Sequence, residues 1–112
     1  MKVHTESIQF KADQKLVDFV VQKVNKLETY FDRIIDAEVK LRLENTGQVR
    51  AKIAEVQLQV PGQRLFAKET DKTFELSVDR AVEDLRRQLT RYKDRIRSTQ
   101  NGINGSENGM LL

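Results

Sequence analysis

The 112-residue chain reads as one α+β domain: element order β-α-β-β-β-α, with a four-stranded mixed sheet carrying both helices on one face. Three observations lead there. Two stretches repeat apolar residues every three or four positions, four others alternate apolar and polar residues, and the later links are short enough for hairpins. A strand–helix–strand unit is normally a parallel crossover, whereas hairpins pair antiparallel, so the sheet is mixed. Two apolar helical stripes then need one surface to cover, and a single sheet face supplies it.

The elements follow in order. "KVHTESIQF" alternates loosely, with Ile8 and Phe10 on one face and a weaker Val3, and predicts the first strand. In "DQKLVDFVVQKVNKLETYF" the residues Leu16, Val20, Val24, Leu27 and Phe31 recur at helical spacing, with Asp13 placed to cap the start. "AEVKLRLEN" alternates cleanly, Val39, Leu41 and Leu43 against Glu38, Lys40, Arg42 and Glu44, which is a half-solvated strand. "NTGQ" carries turn chemistry.

In "VRAKIAEVQLQV" the parity slips. Val49, Ala51 and Ile53 are odd, whereas Val56, Leu58 and Val60 are even. Either Ala54–Glu55 makes a bulge or the odd residues belong to a long loop, and the expectation is a strand from Lys52 to Val60 behind a mobile 45–52 connection. "PGQ" turns the chain into "RLFAKET", the fourth strand. Asp71 is placed to cap the last helix, whose stripe is Phe74, Val78, Ala81, Val82, Leu85, Leu89, Tyr92 and Ile96. Residues 98–112, "STQNGINGSENGMLL", are polar and rich in Gly and Asn, and a disordered tail is expected. The folded domain is therefore expected at 1–97.

Composition narrows the function. There is no cysteine, which excludes disulfides and thiolate metal sites. No apolar run approaches the roughly 18 residues of a membrane span, and "MKVHTESIQF" has no apolar signal region, so a cytosolic protein that avoids membranes is expected. His4 is the single histidine, and no Gly-rich phosphate loop or metal-ligand spacing occurs. Neither an enzyme nor a bound cofactor is expected.

Charge says more. Lys and Arg number 20 against 17 Asp and Glu, a net +3. Residues 1–85 hold 14 basic and 15 acidic side chains, whereas "RRQLTRYKDRIR" at 86–97 holds six basic and one acidic. On the first helix Lys15, Lys23, Lys26 and Arg33 fall on one flank with Tyr30, and Asp18, Glu28 and Asp32 on the other. On the last helix Arg80, Arg87, Arg91 and Arg95 form one stripe, interrupted by Asp84, while Arg86, Lys93 and Arg97 line the opposite flank. Solvated helix faces and dipole complementarity explain one or two cations near a C-terminus. Six in twelve residues repel one another unless a polyanion offsets them, and an RNA backbone does so by releasing counterions. Tyr30, on the basic flank, is open to either role, stacking on a base or packing against its own domain; Tyr92, in the apolar stripe, belongs to the core.

"KVNKLETYFDRI" (23–34) and "TFELSVDRAVEDLRRQLTRYKDR" (73–95) resemble the ribosome hibernation promoting factor family, which includes ribosome-associated inhibitor A and was once called sigma-54 modulation protein. "VPGQRLFAKET" is similar to that family's third-to-fourth strand hairpin, and the likeness covers residues 1–97. It implies a fold similar to double-stranded RNA-binding domains. The function implied is binding of the 30S subunit or 70S ribosome through 16S rRNA, between the A and P sites, so that mRNA and tRNA cannot bind in stationary phase or stress. Lys23, Lys26, Arg87, Arg91, Lys93 and Arg95 match the family's rRNA-binding positions, and Arg33 and Arg80 lie on the same faces. Long members carry a second, dimerising domain. This chain resembles a short form, a monomer off the ribosome, which either forms 100S particles with a separate dimerising factor or acts only as an inhibitor of 70S particles. Two other functions fit the same fold without ribosome occlusion: an RNA-binding module and a protein-interaction module using the solvated sheet face.

Overall fold

A computed structural model describes residues 1–46 and 49–104. The order is β1 (Lys2–Ile8), α1 (Gln14–Asn25) with a 3₁₀ turn (Lys26–Thr29), β2 (Asp36–Thr46), β3 (Val49–Val60), β4 (Gln63–Asp71) and α2 (Phe74–Asn104). The sheet runs β1-β2-β3-β4, with β1–β2 parallel and the other two pairs antiparallel. The expected α+β class and mixed sheet are therefore present.

Register decides which side chains meet the helices. Val39 stands opposite Val56 and Leu41 opposite Ala54, while Val56 pairs onward with Ala67 and Leu58 with Leu65. These residues form one core with Val20, Val24 and Leu27 of the first helical segment and Val78, Ala81, Leu85 and Leu89 of α2. A sheet face carries one parity per strand, so the other parity, including Glu38, Lys40, Gln57 and the exposed Phe66, is left to solvent.

Four local expectations are corrected. β3 has neither a bulge nor a long loop: it pairs with β2 without interruption from Asp36↔Gln59 to Thr46↔Val49, so the 45–52 connection shrinks to residues 47–48, which lie outside the described residues. The parity slip has another cause. Ile53 sits on the outer face between Arg42 and Thr70 and is still only 5% exposed, because long side chains cover apolar neighbours with their stems. In β1 the residues paired with the core positions Ala37 and Val39 are Val3 and Thr5, so the inward parity is odd and Ile8, opposite Arg42, faces out. Phe10 lies beyond the strand and stacks on Phe74, with ring centroids 4.6 Å apart.

The helix starts differ in one respect. Asp13 caps α1 as expected, its Oδ1 accepting the Leu16 N–H at 2.8 Å. At α2 the cap is Thr73, whose Oγ1 accepts the Leu76 N–H at 3.1 Å, while Asp71 Oδ1 accepts the adjacent Lys72 N–H at 2.7 Å, outside the helix. A side chain must stand three residues before the N–H that it satisfies, and Asp71 is two residues too early. α2 also continues to Asn104, past the expected end at 97. The expected disordered tail otherwise falls on 105–112, outside the described residues.

Two partly buried polar contacts fix α2 on the sheet, beside an exposed one from Gln88 Nε2 to the Phe66 carbonyl at 2.8 Å. The buried Ser77 hydroxyl donates to the Lys52 carbonyl at 2.6 Å. Tyr92 is 4% exposed, packs edge-on against Phe31 at 5.3 Å, and donates its hydroxyl proton to the Pro61 carbonyl at 2.6 Å. That carbonyl belongs to the β3–β4 turn, where Gly62 has φ +85°, a conformation costly for any side chain. Tyr92→Phe is expected to keep the packing and lower urea-unfolding stability by about 1 kcal/mol, with the m-value unchanged.

Candidate nucleic-acid interface

Side by side on the sheet, the two helices run parallel. Lys23 of α1 meets Asp79 of α2 at 3.1 Å. One to two turns later, Tyr30 lies under the Arg86 guanidinium at 5.8 Å, and its carbonyl accepts from the Lys93 ammonium at 2.7 Å. Later residues of one helical segment thus meet later residues of the other. Between them runs a groove of about 300 Å³ lined by Lys23, Lys26, Tyr30, Asp79, Glu83 and Arg86, with Val82 at its base. Beyond Tyr30 a second hollow of about 440 Å³ opens, where Arg33, Lys93 and Arg97 meet Tyr30 over Phe31 and Ile96.

This arrangement divides the expected site residues. Lys23, Lys26, Arg33 and Lys93 border the groove and the hollow. Arg80 and Arg87 line a separate depression with Glu69, Asp79 and Glu83, on the outer and β4 side of α2. Arg91 is exposed on that same stripe, four residues after Arg87, and Arg95 continues it. The stripe read from spacing is thus real but does not face α1. The flank that faces α1 carries Arg86, Lys93 and Arg97, of which only Lys93 was among the expected residues. Spacing already puts Arg86 and Arg97 on the same flank as Lys93; the missing signal was tertiary, since that flank counts only once α1 is known to lie beside it.

Carboxylates temper the charge unevenly. Arg80 sits near Glu69 at 3.7 Å and Asp71 at 3.5 Å. Arg87 is 3.7 Å from Glu83 and 3.9 Å from Asp84. Arg86 Nε donates to Glu83 Oε2 at 2.9 Å, and a second donor of the same guanidinium reaches that oxygen. That hydrogen bond holds the Glu83 carboxyl below its ordinary range and raises Arg86 in turn. The Arg33 guanidinium lies 5.3 Å from the Phe31 ring centre. Lys26 and Arg91 hold no carboxylate partner among the described residues. Such exposed pairs are worth little each, so they orient cations without preventing exchange for a phosphate. No group of three or more His, Cys, Asp or Glu among the described residues could hold a metal ion. No described helix is long and apolar enough to cross a membrane.

Fold and groove together define a small α+β domain that presents a cationic cleft between two parallel helices. The chain belongs to the family described as sigma 54 modulation protein / S30EA ribosomal protein, whose sequence profile matches residues 3–97. It is similar to the ribosome hibernation promoting factor of Klebsiella oxytoca, 35% identical over 80 residues, covering 71% of this chain and 80% of that one. The Pseudomonas putida protein of the same name is 28% identical over 102 residues, covering 91% and 96% of the two chains. Among solved structures, the N-terminal domain of Thermus thermophilus Protein Y superposes with TM-score 0.72 at 27% identity, over 82% of this chain and 99% of that one. A ribosomal subunit interface protein from Coxiella burnetii shares the fold, with TM-score 0.75 at 18% identity over 84% and 99%.

Proposed function

We propose that the protein is a ribosome hibernation factor that binds the small subunit through 16S rRNA between the A and P sites, excluding mRNA and tRNA in stationary phase or stress. Residues 1–97 are the ribosome-binding unit in this reading. The observation that carries it is the groove between the first helical segment and α2, where Lys23 and Lys26 face Arg86, continued past Tyr30 by Lys93 and Arg33 in the adjoining hollow. A duplex or folded RNA presents phosphates in rows, and cations held on two rigid helices suit that geometry better than a flexible tail would. Relatives of this chain carry the name ribosome hibernation promoting factor, which supports the choice of the ribosome among RNA partners.

Sucrose-gradient sedimentation tests it. The protein is expected to travel with 30S and 70S particles at physiological salt, and initiator tRNA with mRNA should displace it. A chain that stays at the top of the gradient while circular dichroism reports a folded domain would refute the reading.

The carboxylates in the groove make a separate prediction. An arriving phosphate must take Arg86 from Glu83, so Glu83→Gln should bind 30S subunits roughly fivefold more tightly at ~0.1 M salt, the gain of about one neutralised phosphate. Filter binding across salt concentrations checks it, through a log–log slope steeper by about 0.7.

A further inference from the structure

We propose that the hollow beyond Tyr30 takes a single unpaired RNA nucleotide, its base against the Tyr30 ring and its phosphate between Arg33 and Arg97; the inference rests on the RNA-binding reading above and deepens it. Tyr30 is the wall shared by the groove and the hollow. Tyr30 is 42% exposed, and the Arg86 guanidinium lies over its ring at 5.8 Å. Arg86 lines the groove but not the hollow, so a phosphate track along the groove adds nothing to the hollow side of Tyr30. A base does add to it, because every base has a flat face that stacks on an aromatic ring, and RNA is commonly recognised through bases splayed out of the helix.

The rest of the hollow suits the other parts of a nucleotide. Phe31 and Ile96 make an apolar base, while Arg33, Lys93 and Arg97 stand around it. Of the two carboxylates present, Glu28 is already engaged by the chain's N-terminal amine at 2.9 Å, which leaves Asp32 against three cations. Lys93 also holds the Tyr30 carbonyl at 2.7 Å, so the wall is fixed before any ligand arrives. The volume of about 440 Å³ lies in the lower part of the range for small-ligand pockets, as one nucleotide requires.

Two probes test this, 30S subunits and a single-stranded ten-nucleotide RNA with a central 2-aminopurine, against wild type, Tyr30→Phe, Tyr30→Ala and Arg33→Ala. Tyr30→Phe should match wild type within about twofold in both assays, since the ring and not the hydroxyl stacks. Tyr30→Ala should lose roughly tenfold in 30S affinity with an unchanged salt slope and should no longer quench 2-aminopurine. Arg33→Ala should weaken binding with a slope shallower by about 0.7. Tyr30→Ala that binds 30S and quenches as wild type does would overturn the pocket and leave ribosome binding standing. Wild type that ignores 30S subunits yet quenches in a Tyr30-dependent way would overturn the ribosomal reading and keep the pocket.

Discussion

Reversing two charges on one wall of the groove, Lys23→Glu with Lys26→Glu, is expected to release the protein from 30S subunits at physiological salt. Both side chains border the groove, which already contains Asp79 and Glu83. The double variant therefore lines it with four carboxylates against Arg86. Each phosphate neutralised on single-stranded RNA contributes a log–log salt slope of about 0.7, roughly fivefold in affinity per tenfold dilution of salt. Losing two such contacts costs at least about 25-fold at 0.1 M relative to 1 M, and the new repulsion adds to that. The fold should persist, because the Lys23–Asp79 pair at 3.1 Å is exposed and exposed pairs contribute about 0–1 kcal/mol.

The informative partner is Arg80→Ala. Arg80 lies outside the groove, on the β4 side of α2 near Glu69 and Asp71. Its removal should change 30S affinity by less than about threefold. Sedimentation at matched salt separates the two surfaces: an unaffected double reversal together with a binding-defective Arg80→Ala would place the RNA on the outer side of α2 instead of the groove.

What the sequence revealed and what it concealed both follow from physics. Periodicity located both helices and all four strands, because burial on one face is a local constraint that each segment satisfies within its own few residues. Ile53 misled because an apolar residue on the outer sheet face keeps strand geometry while breaking the alternation, and only its neighbours Arg42 and Thr70 in adjacent strands account for its burial. Asp71 and Thr73 are both capping residue types, and the choice between them depends on where the first turn closes. The site was harder. Spacing put Arg80, Arg87 and Arg91 on one stripe, which is correct, but a stripe acquires meaning only from what lies beside it. Glu69 and Asp71 reach Arg80 from another element, and no one-dimensional pattern contains that contact. Tyr92 was legible as core because it continues the apolar stripe, and Tyr30 as surface because it leaves that stripe.

Leu85→Ala should produce the largest loss of stability. Leu85 is fully buried at the centre of α2, in the cluster shared with Val24 and Leu27 and with Val56 and Leu58 of the sheet. Removing its three outer carbons leaves a cavity beneath both helices, and buried Leu→Ala changes cost about 2–5 kcal/mol. A domain of this size has about 5–15 kcal/mol in total and loses about 4–8 °C of melting temperature per kcal/mol, so a fall of roughly 8–40 °C is expected. Calorimetry checks the size of that fall, and Val82→Ala is the control, since Val82 is only half-buried under the groove and should cost about 1 kcal/mol. Binding gives the sharper test. The cations stand on the solvent side of helices whose inner side alone is altered, so folded Leu85→Ala protein at low temperature should bind 30S subunits with nearly wild-type affinity. A loss of affinity beyond the unfolded fraction would mean that the spacing of α1 and α2, set by this layer of the core, is itself part of what the RNA recognises.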